Sequence, residues 1–404
     1  MDSEEPEYVN LQEVEEVVED TGAEQFHSED EMDEDDEPLE VDLSNNSQGY
    51  FDNHQDSVFV VATHPSVPLI MTGGGDNVAY LWTSHTNPTK QVAKLEGYTE
   101  SVIAGGFTAD GSYLVTGDMT GKVLVHKASK KFQVWNLYGT LEDVEEITWI
   151  KVHPKQNVFA FGASDGSVWV YQIEPTLEVI FTGFSHSMEC TNGMFINVDN
   201  LDELNLVTIS EDGSIIGWNC FTQTQIYKID ADSGLKGVVT PWVSMEADPN
   251  GKALVVGSRD SQVVVINSET GAIQNSFRVL ELQEGQDVFE ISIESISWCR
   301  DPNLSLAALG LVSGDVFIFD TKTWKVRRTL KCSDAVTKLQ FLENSPLLLG
   351  ASMDGKVYKW DSRTGEQLYA YVGHHMGVLD FALDNSKIRL ITAGDEGVSL
   401  VFAL

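Results

Sequence analysis

From Asn53 onward the chain alternates short apolar runs with turn-forming residues, and the pattern repeats. The clearest unit reads LLLGASMDGKVYKWDSRTGEQLYAYVGHH. Its apolar run predicts a buried strand over 347–352, Met353-Asp354-Gly355 a turn, and the alternation that follows a second strand over 356–361. In that turn Asp supplies a side-chain hydrogen bond and Gly the freedom to take positive φ. Ser362-Arg363-Thr364-Gly365 turns the chain again into a strand over 367–371, and Gly373-His374 opens the next unit. Stepping five residues from each tight turn reaches an apolar or mostly aromatic position: Asn77/Trp82, Gly121/His126, Gly166/Tyr171, Gly213/Trp218, Ser261/Ile266, Gly314/Phe319, Gly355/Trp360 and Gly397/Phe402. The steps between these eight anchors are 44, 45, 47, 48, 53, 41 and 42 residues, centred on the period of a blade of four short strands.

Trp360-Asp361, Gly373-His374 and the Asp-Gly turns at Asp165-Gly166, Asp212-Gly213 and Asp354-Gly355 resemble those of the WD-repeat β-propeller family. The motifs are degraded, and Gly97-Tyr98 stands where a Gly-His is expected. The resemblance implies an all-β fold, an eight-bladed WD-repeat β-propeller over residues 47–404, preceded by an acidic disordered leader over residues 1–46. The last unit ends in GVSLVFAL without an outer strand, whereas SQGYF, residues 47–51, precedes the first unit and aligns with VAKLE of the second. Residues 47–51 are therefore expected beside the C-terminal strand, closing the ring and removing two exposed sheet edges.

Net charge is −38, and the acid is not confined to one end. The first 50 residues hold 20 Asp and Glu and no Lys or Arg, yet the remainder still carries 43 acidic against 25 basic side chains. Such a field repels phosphate backbones and anionic lipid surfaces and attracts basic proteins or peptide segments, so neither direct nucleic-acid binding nor membrane binding is expected. In the leader, high charge and sparse aromatics leave too little apolar burial to offset the ordering entropy. Leu11, Val14, Val17 and Val18 fall near helical spacing there, which fits either a solvated segment or a short helix formed on a partner. Ser28 in SEDE suits an acid-directed kinase, although such short matches are frequent by chance. Cys190, Cys220, Cys299 and Cys332 are too widely spaced for a disulfide framework or a Cys-x-x-Cys metal site, and read as small hydrophobes in a reducing compartment. An acidic start in place of a signal sequence, and no apolar stretch of bilayer length, point to the cytoplasm or nucleus.

In a blade of this family, the loops leading into the innermost strand and the turns between the second and third strands share one face of the disc. The lead-in loops contain Asp52, Asp56, Glu96, Glu100, Glu142, Asp143, Glu145, Glu146, Glu189, Asp287, Glu290 and Asp334. The turns add Asp76, Asp118, Asp165, Glu211, Asp212, Asp260, Asp315, Asp354, Asp395 and Glu396, against few basic residues, chiefly Lys236 and Arg259. An Asp in an Asp-Gly turn stabilises that turn in any such repeat, so part of the second set has a structural use. The lead-in carboxylates have none, and LEDVEE places four acids in six residues at the cost of like-charge repulsion. The candidate cargo-binding face comprises Glu100, Asp118, Glu142, Asp143, Glu145, Glu146, Asp165, Glu189, Asp212, Asp260, Glu290, Asp334, Asp354 and Glu396, with Tyr98 and Phe184 as aromatics at its mouth.

Catalytic and ligand motifs are weak. TGGGD, residues 72–76, lacks the Gly-Lys-Ser/Thr of a phosphate loop and falls where a turn is required. His64-Pro65 and His153-Pro154 recur at matching turn positions, and His374-His375 is better explained by the Gly-His element than as a metal pair. No nucleophile, base and orienter can be assembled, so neither an enzyme, a cofactor nor a metal is expected.

The acidic leader with its EVEEVVED patch, joined to an eight-unit acidic propeller, is similar to a narrower group. These are the ribosome-assembly WD proteins that act as dedicated chaperones of ribosomal protein L-ten (uL-sixteen), related to the angio-associated migratory cell protein. The resemblance implies a monomer that captures the basic N-terminal segment of the nascent ribosomal protein in the cytosol and delivers it to the large-subunit precursor. It leaves the leader free to meet translating ribosomes or pre-ribosomal particles. Physically, an acidic ring can neutralise Lys and Arg until rRNA, the stronger polyanion, replaces it. Two other readings stay open. Trp360-Asp361-Ser362-Arg363 matches the Trp-Asp-x-Arg element of substrate receptors of cullin-type ubiquitin ligases, and the same acid would serve a histone or general basic-protein chaperone.

Overall fold

Each repeat unit forms one four-stranded antiparallel sheet, and its strands differ in composition because they differ in what covers them. The computed structural model describes residues 44–404 except residue 236, so the leader helix, the leader's disorder, Ser28 and Lys236 lie outside the described residues. Second strands lie between neighbouring blades, which accounts for their near-continuous apolar runs: Leu69–Gly74, Tyr113–Asp118, Val158–Ala163, Asn205–Ser210 and Leu306–Leu311 are buried throughout. Outer strands such as Lys325–Lys331 and Glu366–Tyr371 are mostly exposed, and the first of these is largely basic and polar. The strand expected to alternate, Val357–Asp361, is instead nearly all buried, because neighbours pack on both of its faces.

All eight turn anchors adopt positive φ: 60° at Asn77, 66° at Ser261, and 80° to 83° at the six glycines. The residues five positions later are all 0–5 % exposed. In seven blades a β-bulge between the third and outer strands falls at that residue, from Trp82 through Trp360. A bulge adds local twist and re-aims the side chain. Trp82, Trp218 and Trp360 accordingly sit in clusters built from two adjacent blades. The core is divided into wedges between consecutive blades, including one between the last blade and the first.

The ring closes as expected. Gly49–Phe51 pairs antiparallel with Ser399–Ala403, with Gly49 opposite Val401 and Phe51 opposite Ser399. Phe51 stacks on Trp82 with ring centroids 5.0 Å apart. His64 and His153 each follow an innermost strand. Their Nδ1 atoms accept backbone N–H bonds, from Ser66 and Val67 in one case and Lys155 and Gln156 in the other, so both act as turn caps.

Candidate functional site

Every blade brings its lead-in loop beside its own second-to-third-strand turn through one repeated backbone bond. The donors and acceptors are Gly75 to Ser57, Met119 to Ser101, Ser164 to Glu146, Glu211 to Glu189, Arg259 to Pro241, Val312 to Ser292, Met353 to Ala335 and Asp395 to Gly377, at 2.8–3.2 Å. The two acidic loop sets therefore share a face. Crowding there explains the turn glycines: a Cβ at Gly121, where φ is +82°, would lie 1.9 Å from the Val144 carbonyl oxygen of the next lead-in loop.

Beneath the face runs a layer of structural hydrogen bonds. His54, His186 and His374 place Nε2 3.0, 2.7 and 2.6 Å from the Thr72, Thr208 and Thr392 hydroxyls. Trp82 and Trp218 donate to the same Thr72 and Thr208 oxygens. Sequence reasoning found only His374 in this role, because Asn53 and Ser185, not Gly, precede the other two histidines. Tyr98 fills the same position: its ring packs against the core and its hydroxyl lies 2.7 Å from Thr116 Oγ1. Burial pushes its phenol above the ordinary range. Tyr98 is thus a blade residue, not an aromatic at the mouth. Phe184 is 68 % exposed and meets Trp169 edge-on, as a surface aromatic should.

The carboxylates separate into used and unused groups. Asp118 is fully buried and accepts from the Thr99, Thr120 and Lys122 amides. Burial opposes ionisation of Asp212, yet bonds from His186, Ser214 and Ser187 hold its carboxyl far below the usual range. Asp260 is paired with Arg278 at 2.7 Å, Asp354 accepts from the Tyr358 hydroxyl, and Glu396 bonds His374. These five acids mainly hold the turns, so the expectation that they bind cargo is narrowed: their lone pairs are already engaged. Glu100, Glu145 and Glu146 are exposed, and among the described residues their carboxylates have neither a hydrogen bond nor an ion pair. Among the described residues, the Asp334 carboxylate bonds only the neighbouring Ala335 amide, Asp165 the Ser167 amide, and Glu290 the Gln286 side chain. Asp143 accepts from the Tyr171 hydroxyl, and Glu142 lies 3.6 Å from Lys122. Glu142, Asp143, Glu145, Glu146 and Asp165 together line a cavity of about 350 Å³. Burial, then the neighbouring Glu211 and Glu146 charges, push the Glu189 carboxyl above its usual range, with Arg259 partly offsetting them.

Sequence reasoning missed two classes of residue on this face. Met119, Met188, Val239, Phe289 and Met376 are exposed apolar side chains in its loops, in segments too short to carry a periodic signal. Lys94 and Lys331 are further cations, bound to Glu96 and Asp315 at 2.6 and 3.0 Å. Elsewhere, Arg363 forks onto Asp361 within its own turn, at 3.0 and 2.6 Å, so the Trp-Asp-x-Arg element has a local structural use. The four cysteines are free and buried. Among the described residues no group of three His, Cys, Asp or Glu is placed to hold a metal ion, and no helix is long and apolar enough to cross a membrane.

The WD domain, G-beta repeat pattern matches residues 45–83 and 324–361. Ribosome assembly protein SQT1 of Saccharomyces cerevisiae is 47% identical over 92% of this chain and 90% of its own length. The human angio-associated migratory cell protein is 27% identical over 89% of this chain and 80% of its own. Among solved structures, Chaetomium thermophilum Sqt1 bound to the N-terminus of the ribosomal protein L10 superposes with a TM-score of 0.79 at 28% identity, covering 89% of this chain and 100% of that one. With an eight-bladed ring and near full-length similarity to the yeast protein, the chain belongs to the SQT1 ribosome-assembly family of WD-repeat propellers.

Proposed function

We propose that the protein is a dedicated chaperone in large-subunit biogenesis. It captures the basic N-terminal segment of an L-ten-type ribosomal protein in the cytoplasm and hands it to the pre-ribosome. The observation that carries this reading is the row of unpaired carboxylates at Glu100, Glu145 and Glu146, at a face where most cations are already paired. The complex of the Chaetomium relative with the L10 N-terminus supports the same partner class. Carboxylates left without intramolecular partners destabilise one another in the free protein, and a Lys- and Arg-rich segment relieves that repulsion while gaining association rate from the field. The role is binding, with no chemical step. Isolation of the tagged protein from translating cells, followed by mass spectrometry, tests the cargo. One stoichiometric large-subunit ribosomal protein is expected; histones or a ligase adaptor in its place would contradict the proposal.

A further inference from the structure

Arg259 is folded back onto the acidic face. It stands in the second-to-third-strand turn of the fifth blade and reaches both neighbouring blades. Its Nη2 lies 2.5 Å from Glu211 Oε1, and its guanidinium carbon lies 5.0 Å from the centre of the Phe289 ring. Phe289 is fixed by a 3-10 turn, Val288–Ile291, whose Asp287 cap accepts from the Phe289 amide at 2.9 Å. The ring nevertheless stays 53 % exposed, so it is held in place without being buried. A carboxylate beside an exposed aromatic face suits a planar guanidinium better than a compact, strongly hydrated ammonium. Arg259 is also poorly insulated from competition, being 29 % exposed at its side chain.

We infer that Glu211 and Phe289 form a seat for one arginine side chain of the basic cargo segment, and that Arg259 fills this seat in the free protein. Cargo then binds there by exchanging one guanidinium for another. This rests on the acidic face being the cargo surface. Arg259 offsets the mutual repulsion of Glu211 and Glu189 while the face is empty, and its displacement sets a threshold that lysine passes less easily than arginine.

The test is calorimetric titration of the full chain with an arginine-serine peptide and its lysine-serine counterpart. Wild type is compared with Arg259→Gln, Arg278→Gln and the double variant Arg259→Gln/Phe289→Ala, each checked by thermal melt. Arg278→Gln frees Asp260 on the same face and so reports the loss of one positive charge alone. Arg259→Gln should tighten the arginine peptide on the order of 2- to 5-fold more than Arg278→Gln does. The lysine peptide should gain equally from both variants, and the extra arginine gain should vanish with Phe289→Ala. Equal gains for both peptides, or weaker arginine binding in Arg259→Gln, would overturn the seat. A wild type that binds neither peptide would overturn the reading of the face itself.

Discussion

Phe51→Ala tests how the ring is closed. The closing strand Gly49–Phe51 is only three residues long, and Phe51 is its buried anchor at 4 % exposure, stacked on Trp82 and edge-on to Tyr80. Truncating a buried Phe costs about 3–5 kcal/mol through lost transfer energy and the cavity left behind. Unfolding entropy of about 2 cal/mol/K per residue, taken over a propeller of this length, turns that into a fall in Tm on the order of 4–7 °C. Tyr50 supplies the internal control, since it lies in the same strand, points outward and is 58 % exposed. Tyr50→Ala should change stability by less than about 0.5 kcal/mol. Deletion through Phe51 should cost more than Phe51→Ala, because it also unpairs the edge of Ser399–Ala403 and uncovers Trp82. Differential scanning calorimetry reads all three. Equal shifts for Phe51→Ala and Tyr50→Ala, or an unchanged melt on deletion, would refute closure by this strand.

Three further outcomes follow from the site. Asp118→Ala should destabilise the protein by about 2–4 kcal/mol in a denaturant melt, since it strands buried amide donors, whereas Glu145→Gln should leave the melt unchanged. Gly121→Ala should lower Tm sharply, because the new methyl meets the Val144 carbonyl oxygen in a backbone conformation that L side chains rarely adopt. Burial lowers His126 and His153 from 6.5 to about 4, and among the described residues His126 Nδ1 has no hydrogen-bond partner. The unfolded chain therefore takes up protons that the folded protein refuses, and stability falls as pH drops from 6.5 toward about 4. His126→Phe should raise Tm and make that fall shallower, as read by melts across the window.

The repeat was legible because its two signals are backbone necessities. A turn needing positive φ and a bulged, buried position five residues on recur whatever the intervening sequence, so Ser261/Ile266 was found as readily as Gly355/Trp360. Closure was legible for the same reason, through a missing outer strand at one end and a spare one at the other. The face was legible as charge per loop, but not as chemistry per carboxylate. Asp143 and Glu145 look alike in sequence, in one lead-in loop; only the fold shows the Tyr171 hydroxyl reaching the first and, among the described residues, no partner on the second. Tyr98 was misread because a loop aromatic next to Gly97 gives no sign of whether it points outward or down onto Thr116. Phe289 and the exposed methionines escaped because apolar residues in such short loop segments carry no periodicity that shows which way they face.

The central claim is that unpaired carboxylates on the propeller face capture a basic segment. Its most direct test is titration of the full chain with a basic ribosomal N-terminal peptide at rising salt, comparing wild type with Glu145→Lys/Glu146→Lys. Wild type should bind with an affinity that falls as salt rises, and the double reversal should weaken binding on the order of tenfold or more while leaving the melt unchanged and flattening the salt dependence. Equal affinity and equal salt dependence in the two proteins would contradict the account.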